Sequence, residues 1–324
     1  MRYLPAFLSI VIGSTLASAT AGAADPTFPA RPVRLLVHNN PGSTPDVIAR
    51  LVGKRLSDSW KQPVVIENQA GAAGVVATTA VVKAPADGHT LLIAADGPIT
   101  ILPAVSTSLP YDPKRDLAPV TSLGEIDFVL VANPQTGFKS LADLVQGARQ
   151  NPGRINYASA GNGSPQHLGV ELLKQEAGIN LTHVPYNGGQ AGMTGVIAGN
   201  VQLMLIATAP SLAQIKAGRL VALAQTGQRR DPLLPDVPTV AETYKGFQSG
   251  TWFGLFAPAA TPRPLQEQIG ADVAQALADP ALRGQFAEQG VRVTGAPAAR
   301  FREVLDGEAR KYASLVKAAG IRSE

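Results

Sequence analysis

The chain has 324 residues, 45% of them hydrophobic and 16% charged, with 28 Lys plus Arg against 24 Asp plus Glu and a formal net charge of +4. That balance excludes a disordered chain, which needs low hydrophobicity and high net charge. The absence of cysteine excludes disulfides, thiolate metal sites, iron–sulfur clusters and a cysteine nucleophile.

The first 24 residues read as an export leader. Arg2 supplies a positive start, Leu4 to Ile12 an apolar core, and Ala21-Gly22-Ala23 a small-residue cleavage site. The apolar core is shorter than the roughly 20 residues that span a bilayer. The expectation is a protein soluble after cleavage and located in the periplasm.

The body alternates strands and helices. Val33–Val37 is a buried strand ended by Asn39-Asn40-Pro41-Gly42, and a helix follows, with Ser43 or Thr44 as cap and Pro45 in the first turn. Val47, Ile48, Leu51, Val52 and Leu56 keep the helical period. Val64–Ile66 is the next strand, Val75–Lys83 a helix or extended turn, and Thr90–Ala94 a strand. The order then repeats: strand Phe128–Val131, helix from Ser140 to Arg149, strand Ile155–Ser159, and a helix capped by Ser164 with Pro165 first. Strands follow at His183-Val184, Val201–Ile206, Leu220–Ala224 and Trp252–Phe256. Helices alone remain after that, over Leu265–Ala278, Ala281–Gln289 and Ala298–Ala319. Such alternation predicts an α/β fold with mostly parallel sheets.

Ligands of open α/β sheets sit beyond the carboxyl ends of the strands. Two loops there carry the most chemistry. In His38-Asn39-Asn40-Pro41-Gly42-Ser43-Thr44-Pro45-Asp46 a strand runs into a helix N-terminus, whose free N–H groups favour an anion. Gly42 permits close backbone approach, Asn39, Asn40, Ser43 and Thr44 offer hydrogen bonds, and Asp46 either joins the site or steadies its own helix. Ser159-Ala160-Gly161-Asn162-Gly163-Ser164-Pro165-Gln166-His167 repeats the design later in the chain. His38 and His167, one at each loop, serve a ligand or a local hydrogen bond, while His89 and His183 flank strands and read as structural. Asp96, in Asp96-Gly97-Pro98, either faces the cleft or forms a turn, and Thr208 follows the strand ending at Ile206.

Other chemistries find no support. No G-x-x-x-x-G-K-[ST], dinucleotide fingerprint, G-x-S-x-G elbow or H-E-x-x-H occurs, and no basic tract suits nucleic acid. No catalytic residue, metal or cofactor is expected, and a secreted enzyme is the weakest reading.

A series of motifs, taken together, resembles the Bug-type extracytoplasmic solute receptors, the binding components of tripartite tricarboxylate transporters. The series comprises Arg31-Pro32-Val33-Arg34-Leu35-Leu36-Val37, Pro41-Gly42 with Asp46, Val64-Val65-Ile66-Glu67-Asn68, Gly71-Ala72-Ala73-Gly74 and Ala86-Asp87-Gly88-His89-Thr90. It continues with Ser159 to Ser164 and His167, His183-Val184-Pro185-Tyr186-Asn187-Gly188-Gly189, Pro235-Asp236-Val237-Pro238-Thr239, and Trp252-Phe253-Gly254-Leu255. The resemblance implies a two-lobed, type II-like periplasmic binding protein that closes on its ligand like a flytrap, as a monomer. The first lobe would hold residues 25–125 and the returning 251–324, the second 126–250, with hinge strands near Leu123–Phe128 and Gly250–Phe256. It implies a small carboxylate gripped by Asn40–Asp46 and Ala160–Gly163 and delivered to membrane permease subunits. A sensor docking on a membrane histidine kinase is the alternative. The family commonly reads V-P-F-x-P-G-G at the first loop; His38, Asn39 and Ser43 depart from it here, which leads to the expectation of a more polar or hydroxylated ligand.

Overall fold

A computed structural model describes residues 28–106 and 108–320. The expected leader lies outside the described residues.

The first sheet grows from β1 (Val33–Val37), α1 (Thr44–Trp60), β2 (Val64–Asn68), α2 (Val75–Val82) and β3 (Thr90–Ala95). β1 lies between β2 and β3, parallel to both, with Leu35 opposite Ile66 on one side and Leu91 on the other. Parallel strands covered on both faces read as continuous apolar runs, and β3 is buried at every position. A π-turn at Gly97–Ile101 leads into the short helices α3 (Leu102–Val105) and α4 (Pro113–Asp116).

β4 (Leu117–Ala132) is one 16-residue strand that serves both sheets. The sequence pattern showed only its second half, because Pro119 and Gly124 interrupt the first. Both sit where the register shifts, at Pro119/Thr121 and Ser122/Gly124, as expected of bulges. A side chain at Gly124 would meet the Arg292 carbonyl at 2.9 Å, so the close neighbour strand requires glycine there.

The second sheet follows with α5 (Leu141–Gln150), β5 (Asn156–Ser159), α6 (Pro165–Ala177), β6 (Thr182–Pro185), α7 (Gly189–Ile197), β7 (Leu203–Ala207), α8 (Thr208–Lys216) and β8 (Val221–Gln225). β9 (Gly250–Pro258), α9 (Arg263–Leu277), α10 (Pro280–Glu288), β10 (Arg292–Val293) and α11 (Ala298–Ala319) complete the chain. The strands join in the order β2-β1-β3-β9-β4-β7-β5-β6.

The two sheets meet along β4. Its residues up to Asp127 pair with β9, and from Phe128 onward they pair with β7 and β8. The outgoing crossing therefore falls at Asp127–Phe128. The return differs from expectation: β9 pairs only with β3 and β4 of the first sheet, so the chain crosses back before Gly250. There Thr226 N–H donates to the Phe128 carbonyl (2.9 Å) and Ser249 N–H to the Thr226 carbonyl (3.2 Å). Away from the strands, an apolar cluster of Ile101, Leu168, Tyr312, Leu315 and Val316 packs α11 against α6 across the two halves. Among the described residues no helix is long and apolar enough to cross a membrane.

Candidate functional site

Every parallel strand of both sheets delivers a helix at its carboxyl end, and these helices converge. A cavity of about 700 Å³ lies there, lined from the first half by His38, Asn39, Asn40, Ser43, Thr44, Gly74 and Asp96, and from the second by Pro165, Gln166, Gly189 and Ala207. Ile126 and Phe128 of β4 and Thr251 and Phe253 of β9 also line it. The N-termini of α1, α6, α7 and α8 thus open on one space. None of its lining residues is Lys or Arg, so the positive potential for an anion comes from helix ends.

The first loop lines the cavity with His38, Asn39, Asn40, Ser43 and Thr44. Ser43 occupies the N-cap of α1 but makes no side-chain cap; its hydroxyl donates to the Asn40 carbonyl (2.7 Å). The first-turn N–H groups of α1 are left without that intramolecular acceptor. Asp46 points inward, accepting from Gly42 N–H (2.9 Å), Asn68 Nδ2 (2.9 Å) and Arg50 Nε (3.0 Å). Burial works to raise its pKa, yet these hydrogen bonds together hold it below the usual carboxylate range. Asp46 therefore fixes the loop from behind. Gly42 adopts φ +81°, and it is exposed at the turn. His38 reaches across to Ala95, whose N–H donates to its Nε2 (2.9 Å). Burial lowers the imidazole to about 4.

The second loop follows another plan. Ser164 caps α6, accepting from His167 N–H (3.3 Å). Pro165 and Gln166, the first two residues of the helix, line the cavity, whereas Ala160, Gly161, Asn162 and Gly163 do not. His167 is buried and turned beneath the loop. Its Nδ1 accepts from Gly163 N–H (3.1 Å), and its ring stacks on His183 at 3.8 Å and 7°. Burial, then the neighbouring His183, lowers it to about 4, with Glu171 opposing. Thr208 starts α8 next to the lining residue Ala207, and its Oγ1 is buried without a hydrogen-bond partner.

Asp96 does face the cavity wall. Its Oδ1 accepts from Thr251 Oγ1 (2.8 Å) and Gly97 N–H (3.0 Å), and Oδ2 is buried without a partner. Burial, reinforced by Glu308, pushes its carboxyl up to about 8, against those two hydrogen bonds and Lys311. At neutral pH it is largely a neutral acid.

Ile126, Phe128 and Phe253 escaped the sequence reading as wall residues. Ile126 and Phe128 lie two apart on β4, so period-two alternation through the crossing was the available signal. A smaller cavity of about 260 Å³ shares Ile126 and Thr251 but is lined by Glu125, Asp127, Glu303 and Glu308. That wall sets four carboxylates against one lysine, Lys311, which suits an anion less well. Among the described residues no cluster of three His, Asp or Glu side chains is arranged to hold a metal.

The profile of the "Tripartite tricarboxylate transporter family receptor" matches residues 48–321. The chain belongs to that receptor family. Protein BugT of Bordetella pertussis is 34% identical over 97% of this chain and 98% of its own length. The solved structure "R. palustris Rpa4515 with adipate" is 32% identical, superposes with a TM-score of 0.78, and is matched over 91% of this chain and 99% of that one. MatC from Rhodopseudomonas palustris with bound malate is 31% identical, with a TM-score of 0.74, over 89% and 100%. The family receptor fold is thus the two-lobed α/β architecture expected from the sequence.

Proposed function

We propose that the protein is a periplasmic receptor that captures a small carboxylate between its two lobes and delivers it to the permease subunits of a tripartite tricarboxylate-type transporter. The proposed lobes are residues 28–127 with 250–320 and residues 128–249. One observation carries the reading: several helix N-termini meet on a cavity between two sheets with no basic side chain in its wall.

A helix end contributes about 0.3–1 kcal/mol to a nearby anion, up to about 2 kcal/mol when partly buried. Hydrogen bonds to a charged group contribute about 1.5–3 kcal/mol each. Asn39, Asn40, Ser43 and Thr44 form a polar rim, while Ile126, Phe128 and Phe253 give an apolar floor. The favoured ligand carries a carboxylate and hydrogen-bonding groups at one end and a carbon skeleton against the phenylalanines. The adipate and malate of the structural relatives belong to this chemical class.

The test is a thermal-shift screen of protein unfolded and refolded to strip retained ligand. A ligand at 100 times its dissociation constant adds about 2.7 kcal/mol of stability, so a binding acid stands out. A folded protein shifted by no mono-, di- or tricarboxylate, hydroxy acid, aromatic acid or acidic amino acid overturns the reading.

A further inference from the structure

The two loops differ in sequence and in facing, yet each is pinned by one imidazole that accepts a backbone N–H. In the first lobe the β1–β3 ladder ends at Val37 and Ile93. Further along, the Ala95 N–H donates to His38 Nε2 at 2.9 Å, to a side chain and not to a main-chain carbonyl. The chain thereby leaves the sheet at His38, and Asn39 and Asn40 turn to the cavity. In the second lobe Gly163 N–H donates to His167 Nδ1 at 3.1 Å. Below it, His183 Nε2 pairs with Ser159 Oγ (2.6 Å), and that hydroxyl contacts both the N–H and the carbonyl of Gly161 (3.1 and 3.0 Å).

A backbone N–H only donates, so the accepting ring nitrogen must be unprotonated. His38 therefore carries its proton on Nδ1 and His167 on Nε2. An imidazolium at either place would set N–H against N–H.

We propose that His38 and His167 are the positioning residues of the binding site: each neutral imidazole holds one loop in the shape that receives the carboxylate, and protonating either one weakens binding. The proposal rests on the receptor reading above.

The surroundings keep both rings neutral. His38 packs against Gly74 and shares its cavity wall with Asn39 and Asp96. Around His167 lie His183 on β6, Tyr157 on β5, and Glu171 and Lys174 on α6. Glu171 favours a charged ring, but it is engaged by Tyr157 (2.5 Å) and Lys174 (2.7 Å). Burial brings both imidazoles to about 4. At pH 4 each is then half protonated, so about a quarter of the molecules have both loops set, and apparent affinity falls about fourfold.

The experiment compares wild type with four variants. His38→Phe and His167→Phe keep a ring without an acceptor. His38→Gln and His167→Asn place an amide oxygen near Nε2 and Nδ1 respectively. Binding is measured from pH 7.5 to 4 with whichever of acetate, benzoate, malate, adipate, citrate and aspartate binds wild type most tightly. Hydrogen exchange of the Ala95 and Gly163 amides is followed by NMR on the same proteins, corrected for intrinsic rates. We expect the phenylalanine variants to bind at least tenfold more weakly at pH 7.5 and to lose protection at Ala95 or Gly163. The Gln and Asn variants recover most of the affinity, and together in one chain they remove the fourfold acid loss seen for wild type at pH 4. Comparison at equal pH cancels the titration of the acid itself. Phenylalanine variants with wild-type affinity, or with both amides still protected, overturn the proposal. If wild type binds none of the six acids, the receptor reading loses its main support, while the exchange measurement still decides the positioning role.

Discussion

The loops at 38–46 and 159–167 begin from the same sequence logic, a strand, a glycine turn and a Ser with Pro nearby, and end differently. In the first, Ser43 spends its hydroxyl on the Asn40 carbonyl, Asp46 ties the loop down from behind, and loop side chains face the cavity. In the second, Ser164 caps its helix, two histidines support the turn from below, and the helix start itself faces the cavity. One pattern thus yields an uncapped helix end on one side and a capped one on the other. What decides between them is where the neighbouring side chains point, which spacing does not encode.

The largest expected effect that sharpens this contrast is at Asp46. Asp46→Ala deletes a buried acceptor of three hydrogen bonds, and we expect a loss of about 1–3 kcal/mol in urea unfolding, together with ligand binding. A loss below 0.5 kcal/mol would mean the first loop is held by something else. Gly161 comes next. It sits at φ +126°, a conformation costly to any side chain, so Gly161→Val should lose about 1–3 kcal/mol and weaken binding without touching the cavity wall. Gly42, at φ +81° with open space where a side chain would go, should tolerate Gly42→Ala at about 1–2 kcal/mol. The serines give the smallest and most discriminating difference. Ser164→Ala should cost about 1 kcal/mol as a lost cap, and Ser43→Ala less than about 0.5 kcal/mol. Equal values would erase the contrast.

Asp96 adds a pH test. Burial pushes its carboxyl in the folded chain up to about 8, far above the ordinary aspartate range, so the native state holds a proton that the unfolded chain releases. Stability from this group is full below about pH 4 and falls as pH rises toward 8. Asp96→Asn should therefore raise the melting temperature relative to wild type more at pH 8 than at pH 4. A difference independent of pH would place Asp96 among ordinary surface carboxylates.

Much of the fold was legible because its strands are short apolar runs and helices such as α1 and α6 begin at Thr-Pro or Ser-Pro signals. β4 was half hidden, since Pro119 and Gly124 mimic a loop while serving as bulges within a strand. The site was legible as loops and not as surfaces. His38, Asn39, Asn40, Ser43, Thr44 and Asp96 lie on the cavity wall, but Asp46 and His167 turned inward to fix backbone, and Gln166 and Gly189 took the facing places. Facing depends on three-dimensional packing between the β5–α6 and β6–α7 turns, contacts distant from any local pattern.

The most direct measurement is a crystal structure with the tightest-binding acid from the thermal screen. The account predicts a carboxylate in the cavity between the lobes, about 2.7–2.9 Å from first-turn N–H groups of α1 and from the helix starts at Pro165 or Gly189. An acid seated instead beside Glu125 and Glu308, or one bound with no contact to a helix N-terminus, would contradict it.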